Sequence, residues 1–150
     1  MTTTLSDTFA VPAATFAYLE RSATSLREAI TSDDVGMRYA QAHVAALRAT
    51  AALLAARARP TPASARRGRP VQRNAWVLLA QVAPELAEWA TFFSAGAAKR
   101  AAAEAGSRSA VTEREADDLV RDADRFLGLV EESLGLTRHD PIPTTLTRVG

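Results

Sequence analysis

Residues 38 to 43 read RYAQAH, which sets an arginine and a histidine five positions apart. The two residue types could do chemistry together. A histidine with an ordinary pKa near ~6.5 gives and takes protons at neutral pH, and an arginine fork grips phosphate oxygens or a developing negative charge. Whether one reactant can meet both depends on the element that carries them. On a straight helix, five residues at ~100° each turn through about 500°, so the two side chains point about 140° apart. Arg38 then shares a face with Asp34 and Gln41, which suits a solvated ion pair. His43 shares one with Tyr39, Ala40, Ala46 and Leu47, which suits a core or interface.

A second candidate is electrostatic. Net charge is only +1, so attraction to nucleic acid or membrane must come from uneven distribution. Residues 57 to 73 hold six arginines (Arg57, Arg59, Arg66, Arg67, Arg69, Arg73), three prolines and no acid. Such a basic loop could neutralise several phosphates, or remain a solvated linker, or dock on an acidic helix of a neighbour. It contains no aromatic residue, so base stacking has no support there. His139 and Asp140 are too few to ligate a metal, and the absence of cysteine excludes disulfides, thiolate metal sites and cysteine nucleophiles. No glycine-rich phosphate loop and no nucleophile elbow occurs. Neither cofactor nor metal is expected.

The elements that must position these residues are helical, because apolar positions recur every three to four residues and no alternating β-branched run is found. A first helix is expected from Pro12 to Ile30, with Phe16, Leu19, Ala23, Leu26 and Ile30 inward. A second, capped by Ser32 or Asp33, should run from Asp34 to Ala58 with Ala40, Val44, Leu47, Ala51 and Leu54 as its seam, antiparallel to the first because the connection is short. The third is expected from Asn74 to Gly106, kinked between Gln81 and Ala83 because Pro84 removes a donor and clashes one turn back. Trp76, Trp89, Phe92 and Phe93 on it read as core or interface rather than ligand box. Thr112 and Glu115 form a capping box for the fourth, whose inner face is Ala116, Leu119, Ala123, Phe126, Val130 and Leu134. Eight acids (113, 115, 117, 118, 122, 124, 131, 132) against three arginines (114, 121, 125) make its other face net negative by five. The expectation is one all-α domain over 1–150, an antiparallel four-helix bundle with its core at about 12–134 and an irregular tail at 135–150. Lacking a basic leader or a long apolar run, the chain reads as cytoplasmic with no membrane contact.

YAQAHVAALRATAALLAA, residues 39 to 56, resembles the tyrosine-alanine-x-x-histidine-x-alanine-alanine helix of HEPN domains. The long third helix beginning NAWVLLAQVAPELAEWATFF and the capped fourth reading TEREADDLVRDADRFLGLVE are similar to a small actinobacterial HEPN-like family, so the resemblance covers about residues 13 to 134. It implies a helical bundle that dimerises. Many members are metal-independent ribonucleases using an arginine, four to six residues and a histidine, and others are non-catalytic binding modules. The carry-over falls on Arg38 and His43, although in many active members the pair lies on a later helix. RNA would supply its own nucleophile, the 2′-hydroxyl. Two functions follow as expectations: a dimeric interaction module with RNA or a protein as partner, or a ribonuclease built on Arg38 and His43.

Overall fold

The computed structural model describes residues 11–57 and 74–143, and every regular element among them is helical. Helix α1 (Ala13–Thr31) and helix α2 (Val35–Arg57) form an antiparallel pair. Asp34 caps α2 by accepting from the Met37 N–H at 2.9 Å. Asn74 likewise caps α3 (Ala75–Val82) through the Trp76 N–H at 2.9 Å. The Thr112–Glu115 capping box opens α6 (Glu113–Ser133) as the sequence implied.

The long third helix is instead three pieces. Pro84 ends α3 at Val82 and starts a 3-10 turn, Pro84–Leu86, as its missing donor and ring clash require. Helix α4 (Ala87–Ala95) then breaks a second time at Gly96 before α5 (Ala97–Glu104). That break was not expected. Gly96 has an ordinary φ of −86°, so its need is steric: an added Cβ would lie 2.8 Å from the Tyr39 hydroxyl. Gly106, by contrast, takes φ +91° and closes α5, with the Ser107 N–H reaching Ala102 O at 3.1 Å.

Helix α2 runs through the middle of the bundle and touches α1, α3, α5 and α6. Its buried face is made of small residues: Ala42, Ala45, Ala46, Ala49 and Ala52, with Leu53. Val44, Leu47, Ala51 and Leu54, expected as the seam, are only half-buried. Helix α1 is turned the same way. Thr15, Ser22, Ser25, Leu26 and Ala29 face inward, and Phe16 is 49% exposed. The reason is close approach, since alanine against serine lets two backbones come near enough for side chains to reach the facing helix. Ser22 donates to Ala45 O at 2.7 Å and Thr15 to Ala52 O at 3.0 Å, pairings that step in opposite directions along the two helices. Each such bond contributes on the order of 1 kcal/mol and fixes the register.

On the other side of α2, Leu119, Ala123, Phe126 and Val130 of α6 are buried as the periodicity required. Phe126 meets Phe93 of α4 with ring centroids 5.1 Å apart, and Phe93 stacks on Trp76 of α3 at 5.2 Å. This aromatic layer covers the middle of α2.

Candidate functional site

Arg38 lies in the first turns of α2, facing the α1–α2 connection and the start of α6. It is 0% exposed. Its Nη1 donates to Asp117 Oδ1 at 2.9 Å, with Glu113 at 3.9 Å, while Nε and Nη2 both donate to Ser32 O at 3.3 Å. The solvated pair with Asp34 is therefore replaced by a buried one with Asp117, because α6 packs its N-terminal turns over this part of α2. A buried guanidinium has to be neutralised and bonded, and the fork is engaged on both sides.

His43 is one and a half turns further along and faces elsewhere. It too is 0% exposed. Its Nε2 lies 2.9 Å from Phe93 O, which fixes the tautomer: Nε2 carries the proton and donates to that carbonyl. Nδ1 is buried with no partner among the described residues. Trp76 and Phe93 stand edge-on to the ring, at 5.7 and 6.1 Å. Burial pushes the His43 pKa below its ordinary value, since protonation would place a second N–H where nothing accepts it. The side chain is a neutral core histidine at pH 7.

Beside it opens a cavity of about 220 Å³ whose walls include Tyr39, Gly96, Lys99 and Leu119. His43 contributes only wall, because its polar atoms are taken or sealed. Tyr39 is pushed above the ordinary tyrosine range by burial, and Lys99 is paired with Glu115, which raises the ammonium pKa and lowers the carboxyl. The fold brings Tyr39, Lys99 and Glu115 together. It does not bring Arg38 and His43 together: one faces α6 and the other α3 and α4.

Of the arginine stretch, only Arg57 is among the described residues. It pairs with Glu85 at 2.8 Å and also donates to Ser133 O at 3.3 Å, tying the end of α2 to the 3-10 turn and to the end of α6. Arg59, Arg66, Arg67, Arg69 and Arg73 lie outside the described residues.

The acidic face of α6 needs the largest correction. Asp124 is buried, and Asp117, Glu115, Glu131 and Glu132 all have cationic partners. The partner of Asp124 and Glu131 is His139. Its Nε2 meets Asp124 Oδ1 at 2.6 Å, its Nδ1 meets Glu131, and Ile142 N–H reaches Asp124 Oδ2 at 3.3 Å. Hydrogen bonding to Asp124, reinforced by Glu131, raises the His139 pKa to about 9. Among the described residues, 135–143 carry no regular element and are clasped to α6. Gly128 leaves the space in which Arg138 crosses that helix, since an added Cβ would collide with its guanidinium. The one signal in the sequence was a glycine inside an otherwise strong helix, about one turn from Asp124 and from Glu131.

These features agree with a comparison of families. The model of the HEPN_SAV_6107-like HEPN family matches residues 29–131, from the end of α1 to near the end of α6. The chain belongs to this HEPN family. No curated protein and no solved structure matches it. The family region contains the whole of α2 with Arg38 and His43, the segmented aromatic helix and the capped α6. All of α1 before its last three residues, and His139, which closes the clasp, lie outside it.

Proposed function

We propose that this HEPN chain is a non-catalytic interaction module, a cytoplasmic homodimer that meets RNA through its arginine stretch. The observation that carries the non-catalytic reading is the sealing of both candidate side chains. Arg38 has its charge spent on Asp117 and Ser32, and His43 has one ring nitrogen bound to Phe93 O and the other buried. General acid–base work needs a nitrogen that reaches substrate, and His43 offers none. The dimer is supported by the stripe that α1 leaves uncovered. Phe16 is 49% exposed, while Leu19 and Ile30 of the same stripe pack partly against the core, so the outer edge of this face, led by Phe16, is what a second copy would cover.

Light scattering and a labelled single-stranded RNA test this reading. The parent chain should be dimeric and Phe16→Glu monomeric. RNA should be bound but left intact, and Arg66→Ala, Arg67→Ala and Arg69→Ala together should lower the salt slope of binding by about three. The alternative is the metal-independent ribonuclease. Cleavage that survives EDTA, leaves a cyclic phosphate and is lost in a folded His43→Ala variant would replace the proposal with it.

A further inference from the structure

Tyr39 is 7% exposed in the wall of the cavity beside His43, and its hydroxyl makes no hydrogen bond among the described residues. Burial raises its pKa, so at pH 7 the group is a neutral donor. Phenylalanine would fill the same wall without taking a polar group out of water, so a hydroxyl at this place calls for an acceptor. The backbone makes room for it. A Cβ at Gly96 would lie 2.8 Å from the hydroxyl and 3.7 Å from His43 Cδ2, so His43 shows this side a carbon edge. Lys99 also lines the cavity but is neutralised by Glu115, and Phe92, Phe93 and Leu119 make the wall apolar. A second cavity, of about 280 Å³, shares Tyr39, Phe92 and Leu119 with the first. Because Phe92 is 46% exposed, the inner space reaches solvent past its ring. Charge is matched at that outer end as well: Asp118 pairs with Arg121 at 3.1 Å, and Asp122 faces both Arg121 and Arg125.

We propose that this cavity binds a neutral single-ring aromatic compound bearing one carbonyl oxygen, which accepts from the Tyr39 hydroxyl while the ring lies against Phe92 and Leu119. Size sets the number of rings. A cavity of about 150 Å³ lined by apolar side chains takes benzene, so one of about 220 Å³ takes a ring with one small substituent. Electrostatics set the charge. A carboxylate would need a cation that Glu115 has not already neutralised, and an ammonium would meet Lys99, so either ion would lose its hydration without a matching partner. The inference is independent of RNA association, because its test contains no nucleic acid.

Benzamide is the probe and benzoate its charged counterpart, followed through the backbone amide resonances of the full chain. Benzamide should shift the Gly96 and Lys99 amides saturably with a Kd of about 1 mM or tighter, and benzoate should bind roughly tenfold more weakly. Tyr39→Phe should weaken benzamide roughly fivefold yet melt no lower than the parent, since the lost hydroxyl had no partner in the chain. Phe92→Ala, at a half-exposed position, should keep the fold and weaken benzamide at least as much. No saturable shift at about 10 mM benzamide, or shifts centred away from Gly96, overturns the proposal. So does unchanged affinity in either variant, or benzoate bound as tightly as benzamide.

Discussion

The two histidines occupy opposite electrostatic worlds. His43 sits among alanines and aromatic rings with one carbonyl as its polar neighbour, and burial lowers its pKa. His139 sits between Asp124 and Glu131, and those carboxylates raise its pKa to about 9. Burial alone disfavours imidazolium, whereas two carboxylates beside a less deeply buried ring more than offset that cost. The contrast also gives the protein two pH limbs. For His43 the unfolded chain binds the extra proton, so its contribution is complete above about 6.5 and is lost as pH falls below that value. For His139 the folded chain holds the proton. Its contribution is complete below about 6.5 and is lost as pH rises toward 9.

The comparison breaks most severely if the seal over His43 is removed. Phe126 packs against both Trp89 and Phe93, the rings that cover this part of α2, so Phe126→Ala should cost roughly 3–5 kcal/mol in denaturant melts. Next in size is the clasp. Asp124→Asn removes the carboxylate charge beside His139, leaving only a neutral amide oxygen to accept from Nε2, and should cost about 1–3 kcal/mol at pH 7. The same variant should flatten the stability loss between pH 6.5 and 9, and a slope equal to the parent's would show that Glu131 alone sets the His139 pKa. A smaller effect belongs to His43 itself. His43→Gln keeps a donor for Phe93 O but cannot titrate, so the decline in stability below pH 6.5 should be shallower than in the parent. The smallest marks the solvent side of α6: Asp118→Ala should stay within about 0.5 kcal/mol of the parent, because its bond to Arg121 is exposed.

Helix ends were legible because each is fixed by a few adjacent residues. Asn74, Pro84, and Thr112 with Glu115 each satisfy or remove backbone donors locally and stand where the chain starts or stops a helix, whereas α2 is capped by Asp34 and not by Ser32 or Asp33 as expected. Helix rotation was legible in α6, whose inner residues are large, and Trp76 and Phe93 stand in the core as read. In α1 and α2 the expected faces were right only in part: Leu26 and Ala40 are buried, but Phe16 is exposed and Val44, Leu47 and Leu54 are half-buried. The buried side there is chosen by how closely two backbones can approach, and Ser22 or Thr15 becomes a core residue only once a carbonyl of α2 stands opposite. The break at Gly96 failed to show for a similar reason, since its cause, the Tyr39 hydroxyl, is far away along the chain.

The sequence by itself determined an all-α HEPN chain, its capped helix starts, its cysteine-free chemistry and a histidine on an apolar helix face, because these follow from neighbours within two turns. Only the tertiary structure decided that Arg38 is spent on Asp117, 79 residues away, that His43 turns toward Phe93, and that His139 closes on Asp124. A buried charge takes whichever partner packing delivers to it, and no spacing along one helix records which helix will arrive.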